Sequence, residues 1–114
     1  MIIRKTLRLK KEEFYKKHLL IINYILPVQM TNKEAEVLAA FMSLEGDIAK
    51  DPFGTSGRKL VREKLNLSAG GLGNYLEQLK SKGFILQGST IAILPVLIPN
   101  STSQEYNFKL EVND

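Results

Sequence analysis

The sequence has no cysteine and a single histidine, His18. Disulfides, zinc fingers and thiol catalysis are excluded. So are a histidine-rich metal site and a conventional catalytic triad, because no second histidine or cysteine exists to complete either. A long hydrophobic run is missing too. The stretch from Leu19 to Met30 is broken by Asn23, Pro27 and Gln29, and falls short of the roughly 20 apolar residues that span a bilayer. Met1-Ile2-Ile3-Arg4-Lys5 puts apolar residues before the charges with no small-residue cleavage site nearby, so no secretory leader is expected and the expected location is cytoplasmic. No nucleophile–base pair, no paired carboxylates in a defined context and no cofactor motif stand out, so neither an enzyme nor a cofactor is expected. Gly54-Thr55-Ser56-Gly57-Arg58-Lys59 lacks the spacing and the preceding strand of a phosphate loop. Asp47 and Asp51 lack the ligand spacing and terminal Glu of a calcium loop.

What remains is an ordinary soluble composition. Of 114 residues, 44% are hydrophobic and 25% charged, enough to bury the core of one domain covering residues 1–114. The net charge of +4 is unevenly placed. Residues 1–18 carry seven basic side chains (Arg4, Lys5, Arg8, Lys10, Lys11, Lys16 and Lys17) against Glu12 and Glu13, and the rest of the chain is nearly neutral. Such a cluster attracts an anionic partner such as nucleic acid, or simply solvates a helix face.

Three parts follow along the chain: a basic strand–helix extension (1–29), a core (30–93) and a C-terminal strand extension (94–114). Ile3, Leu7 and Leu9 alternate with Arg4, Thr6 and Arg8, which predicts a short edge strand. From Lys10 to Leu26 the spacing of Phe14, His18, Ile22 and Ile25/Leu26 predicts a helix. Leu19, Leu20 and Ile21 widen its apolar face, so the helix is expected to be sandwiched in the fold or to meet a second subunit. Thr31-Asn32-Lys33-Glu34 is a capping-box start, for a helix running to about Leu44 and ended by Gly46. Its expected buried side is Ala35, Leu38, Ala39 and Met42. Residues 47–55 read as a loop. Ser56 is placed to cap a helix from Gly57 to Leu65, with Leu60, Val61 and Leu65 apolar. Asn66-Leu67-Ser68 is a tight turn, and Ser68 caps a helix over 69–81 bearing Leu72, Leu76 and Leu79. Gly83 suits the left-handed position that closes it. Strands at 84–87 and 90–93 flank a two-residue turn, Gly88-Ser89. Leu94 to Pro99, with two prolines, is at best an edge segment. Tyr106, Phe108, Leu110 and Val112 alternate with polar residues and predict a half-buried strand, paired with the first strand or across a dimer.

Residues 56–93 thus order as short helix, tight turn, helix, glycine and hairpin. Leu65-Asn66-Leu67-Ser68-Ala69-Gly70-Gly71-Leu72-Gly73-Asn74-Tyr75-Leu76 through Lys82-Gly83-Phe84-Ile85 carries a leucine–serine turn, a leucine ladder and a lysine–glycine–apolar exit. With Met30 to Leu38 as a preceding helix, this resembles a winged helix-turn-helix of the kind found in MarR-like regulators and phage replication or regulatory proteins. The resemblance covers about residues 30–93. It implies an α+β fold and double-stranded DNA as partner, with the second motif helix in the major groove. On that basis Ser68, Ala69, Gly70, Gly71, Gly73 and Asn74 would face the groove, and Asn74 can make a bidentate contact to adenine. Arg58, Lys59 and Arg62 would hold phosphates. Ser89 and Thr90 at the wing tip would touch backbone or minor groove. Dimerisation would run through the Lys10–Leu26 helix.

The residues also support another reading. Three glycines in one recognition helix cost about 1 kcal/mol each against alanine and supply no side-chain readout. They admit close approach of another backbone, phosphate or protein. A protein-interaction or phage structural or packaging component reusing the same scaffold is therefore the alternative, supported by apolar surplus at Leu19–Ile22 and Leu94–Ile98. A third is a single-strand binder using the basic N-terminus with Tyr106 and Phe108. The spatial placement of the basic clusters relative to the second motif helix separates these readings.

Overall fold

The computed structural model describes residues 1–88 and 90–113. These form an α+β fold of four α-helices and one two-stranded antiparallel sheet: α1 (Lys11–Ile22), α2 (Asn32–Met42), α3 (Thr55–Leu65), α4 (Ala69–Ser81), β1 (Ile85–Gln87) and β2 (Ile91–Ile93). No helix among the described residues is long and apolar enough to cross a membrane.

The capping box forms as expected. Thr31 Oγ1 accepts from the Glu34 amide at 3.1 Å, and the Glu34 carboxylate accepts from the Thr31 amide at 2.7 Å. The helix it starts is the centre of the molecule. Ala35, Val37, Leu38, Ala39, Ala40 and Phe41 are all buried, so α2 is apolar nearly all round rather than along one stripe. This departs from the expected pattern, in which Met42 was core; Met42 is only half-buried. Packing against α1 on one side and α3 and α4 on others explains the difference. A helix enclosed by neighbours needs no polar face. It also ends earlier than expected. Ser43 turns its hydroxyl back on the Ala40 carbonyl at 2.8 Å, and Gly46, with φ +68°, opens a 3-10 turn over Gly46–Lys50 inside the predicted loop.

The start of α3 differs as well. The helix begins at Thr55 behind Gly54, and no side chain caps it, so Ser56 lies inside the first turn. Leu60, expected in the core, is 41% exposed. Phe53, from the preceding loop, is buried, with its ring 4.6 Å from that of Phe41. Gly57 lets this loop press on the helix: a Cβ there would stand 1.8 Å from the Pro52 carbonyl oxygen. The buried side of α3 is therefore Gly57 and Val61.

The turn into α4 and α4 itself match expectation. Asn66 takes the left-handed conformation (φ 54°), the Leu67 amide donates to the Arg62 carbonyl, and Ser68 Oγ accepts from the Gly71 amide at 2.9 Å. Leu72, Leu76 and Leu79 are buried. Gly83 (φ +82°) ends the helix and turns the chain into the hairpin. The hairpin register is one residue from that expected. Ile85 pairs with Ile93 and Gln87 with Ile91, where the expected strands would pair Gln87 with Thr90; Ser89 of the expected turn lies outside the described residues. This register sets Ile91 and Ile93 beside buried Ile85 and turns Leu86 and Ala92 outward. A slip to a two-residue turn would exchange those faces on one strand.

Both predicted terminal strands are absent. Residues 1–10 and 103–113 contain neither helix nor strand. In the C-terminal segment Tyr106 is half-buried, but Leu110 is 96% and Val112 86% exposed. The alternation is present; the sheet edge to receive it is not, because the described residues hold only the β1–β2 hairpin. Residues 94–99 form no edge strand either. Pro95–Leu97 is a 3-10 turn that buries Leu97 completely against the core and exposes Val96 and Ile98. Of the apolar surplus on α1, Leu19 is buried and Leu20 to Ile22 are half-buried, while Tyr24 and Ile25 just beyond the helix stay exposed.

Candidate functional site

Arg58 and Arg62 stand one turn apart on α3, so their side chains rise from one flank, with Lys59 beside them. Arg58 and Lys59 are exposed and Arg62 half-exposed. The helix spacing puts Leu60 and Lys64 on the other flank, with Glu63 between the two flanks, one turn on from Lys59. There Lys64 donates to Glu12 of α1 at 3.0 Å, and Leu44, Leu60 and Val61 floor an open depression of about 400 Å³.

The distribution of ion pairs leaves the first flank open. Among the described residues every carboxylate partner is a lysine: Lys11–Glu45, Lys16–Glu36, Lys33–Glu36, Lys50–Asp47, Lys64–Glu12, Lys80–Glu77, Lys82–Glu34 and Lys109–Glu111. Among the described residues none of the four arginines, Arg4, Arg8, Arg58 and Arg62, is paired, and neither are Lys5, Lys10, Lys17 and Lys59. The strongest fixed cations, with fork geometry suited to phosphate, are thus among those left open.

The Asn66–Ser68 turn joins the last turn of α3, with Arg62, directly to the start of α4. Four backbone amides are unsatisfied at any helix start; here Ser68 takes the Gly71 amide. The outward stripe of α4 is Gly70, Asn74, Glu77 and Ser81, all exposed, with Ala69 exposed and Gly71 and Gly73 half-buried at its margins. A Cβ on Gly70 or Gly73 would meet nothing within 4 Å. These glycines therefore answer no packing need inside the chain. Thr90 is exposed and accepts from the Gly88 amide through its carbonyl. Ser89 lies outside the described residues. The hairpin leaves from the carboxyl-terminal end of α4, where the Phe84 amide donates to the Leu79 carbonyl at 2.9 Å. The structure therefore draws Arg62 and Ser68 together at the opposite end of α4 from the hairpin.

Of the seven N-terminal cations, Arg4, Lys5, Arg8, Lys10 and Lys17 have no carboxylate partner among the described residues. Lys11 and Lys16 are spent on Glu45 and Glu36, and the beginning of α1 abuts the ends of α2 and α3 through Lys11–Glu45 and Glu12–Lys64.

Two polar clusters escaped the sequence reading. Glu34, 1% exposed, takes the Lys82 ammonium at 2.6 Å while holding its cap. Burial works to raise its carboxyl pKa, but the hydrogen bonds from Lys82 and Thr31 and the charge of Lys82 prevail and hold it below the usual value. His18, buried on α1, donates from Nε2 to the Leu97 carbonyl at 3.0 Å. A neutral ring then offers Nδ1 as an acceptor, and the Tyr106 hydroxyl meets it there. Burial lowers the His18 pKa, against the opposing pull of the Leu97 carbonyl, and raises that of Tyr106. The capping-box spacing pointed to Glu34; nothing in the local pattern pointed to partners 48 or 88 residues away.

Among the described residues no group of three or more His, Cys, Asp or Glu is placed to hold a metal ion. No protein-family model, no curated protein and no solved structure matches the chain.

Proposed function

We propose that this chain is a winged helix-turn-helix protein that binds double-stranded DNA, as a regulator of transcription or replication of phage or bacterial type. The observation that carries the reading is the open flank of Arg58, Lys59 and Arg62 beside the capped start of α4, in a molecule whose other structured lysines are largely paired with carboxylates. The order α3, tight turn, α4, hairpin supports the fold assignment. In this arrangement the three cations hold phosphates and orient the domain, and the start of α4 approaches the groove. The bare stripe at Gly70 and Gly73 lets helix backbone come close. Asn74 is the side chain on it able to read a base edge. Affinity then comes mostly from phosphates, with modest sequence preference.

The test is fluorescence anisotropy with a mixed-sequence duplex, titrating salt. Wild-type protein should bind at about 50 mM salt and weaken steeply as salt rises, with the log–log slope shallower by roughly 0.9 for each phosphate contact removed in Arg58→Ala/Lys59→Ala/Arg62→Ala. No binding at low salt overturns the DNA reading. An unchanged slope in the triple variant moves the interface elsewhere.

A second reading rests on Glu77, an acid in the middle of the outward stripe of α4. A carboxylate repels phosphate, and a small-residue surface centred on an acid suits a basic protein partner. Glu77→Gln separates the two: it tightens DNA binding under the first and weakens partner binding under the second.

A further inference from the structure

We propose that two copies of this chain exchange their ends, residues 1–9 of one copy pairing as an antiparallel strand with residues 106–112 of the other about a two-fold axis beside α1. Each segment has a strand's alternation, Ile3, Leu7 and Leu9 in one and Tyr106, Phe108, Leu110 and Val112 in the other. Within the single chain neither has a strand partner. Their apolar side chains stand in water: Ile3 is 80% exposed and Leu110 96%. Unpaired alternating segments of this kind are templates for pairing with another chain. The cost is visible in the dimensions. The radius of gyration is 15.4 Å, where a compact chain of this length has about 13 Å.

Position explains why the two segments do not meet within one chain. The first enters α1 at its amino-terminal end. The second is fastened at the other end: the Tyr106 hydroxyl meets His18, and the Phe108 ring stands edge-on to Tyr24 at 6.4 Å. From Tyr106 to Phe108 the chain runs the same way as α1, past its carboxyl-terminal end. Seven helical residues, about 10 Å, separate Lys11 from His18, where the second attachment begins. A two-fold axis that sets α1 antiparallel to its mate cancels this separation. The first segment of one copy then lies at the last segment of the other, and the two run in opposite directions, as a hairpin-like ladder requires. The contact is isologous, so it closes at two copies and occurs twice.

Charge supports the same partner. Arg4, Lys5 and Arg8 have no carboxylate partner among the described residues, and with 3–9 laid antiparallel on 106–112 Arg4 stands opposite Glu111, which within the single chain is met only by exposed Lys109 at 2.7 Å. Seven paired residues on each side span about 23 Å.

The experiment is sedimentation velocity on the full chain at micromolar concentration, with two charge-reversed variants, Arg4→Glu and Glu111→Lys. Wild type should sediment at twice the 12.9 kDa chain mass. Each variant alone places like charges opposite one another and should raise the dissociation constant at least tenfold. An equimolar mixture restores both complementary pairs and should recover the dimer. Both substitutions are outside the buried core, so circular dichroism should be unchanged. Monomeric wild type overturns the proposal. So does a dimer indifferent to both variants, which would place the contact on α1 alone, and so does a mixture that stays monomeric, which would mean pairing within one chain.

Discussion

The Lys82 ammonium lies 2.6 Å from the Glu34 carboxylate and ties the end of α4 to the first turn of α2. The same Glu34 oxygen holds the Thr31 amide, and Lys82 also donates to the Gln29 carbonyl at 3.0 Å. The other Glu34 oxygen is buried without a partner. One carboxylate thus caps the central helix and fixes the helix that carries the proposed interface.

Removing one member of a buried pair leaves an uncompensated charge, which costs about 3–5 kcal/mol. Lys82→Met should lower urea stability at neutral pH by an amount in that range, and Glu34→Gln, which keeps a cap acceptor, by less. The pH dependence has a definite sign. Glu34 titrates lower in the fold than free, so its contribution is present above the ordinary carboxylate range and is lost as pH falls through the folded value. The acid limb of the stability–pH curve should flatten in Glu34→Gln. A loss under 1 kcal/mol in Lys82→Met would show that the clamp contributes little.

His18 acts in the same protonation sense as Glu34, but through burial that favours its neutral ring rather than through a charge partner. Its folded pKa is depressed by burial, so below the ordinary value near 6.5 the unfolded chain binds the extra proton first. Stability from this group is complete above that pH and declines as pH falls toward the folded pKa. Tyr106→Phe removes the donor to Nδ1 and should cost about 1 kcal/mol, while loosening residues 103–108 from α1. Two-dimensional NMR of the His18 ring checks both points: a midpoint at or above 6.5 in the wild type contradicts the burial argument.

Local chemistry was the legible part of this molecule. The capping box at Thr31, the Ser68 cap, the leucines of α4 and the left-handed Gly83 are each decided by residues within one or two turns, and each stands where the sequence puts it. What failed depended on distant partners. Alternation at 1–9 and 106–112 predicts strands only if a sheet edge is near, and none is in the single chain. Leu60 looks like core from its spacing, yet it is 41% exposed, while Phe53 from a loop is buried against Phe41. For the candidate site the sequence supplied Arg58, Lys59 and Arg62. That they are left unpaired depends on where all the acids fall, and only the folded chain reveals it.

The Ser68 cap offers a direct check on the start of α4. Ser68→Ala should cost about 1 kcal/mol, since the Gly71 amide loses its acceptor, and Ser68→Asp should restore stability. Under the proposed function Ser68→Asp should nevertheless weaken duplex binding several-fold, by setting a carboxylate at the groove-facing end of the helix. Equal binding by wild type and Ser68→Asp would remove this end of α4 from the interface.

Three glycines separate packing from function. At Gly57 an added Cβ would stand 1.8 Å from the Pro52 carbonyl, backbone against backbone, so Gly57→Ala should destabilise by at least about 2 kcal/mol through overpacking. At Gly70 and Gly73 the space is open, and alanine should stabilise α4 by up to about 1 kcal/mol at each site. If these two are glycines because another backbone approaches α4, Gly70→Ala/Gly73→Ala should melt higher and bind duplex DNA several-fold more weakly. A gain in stability with binding unchanged would mean that nothing comes close to this stripe, and the contact would then rest on Arg58, Lys59 and Arg62 alone.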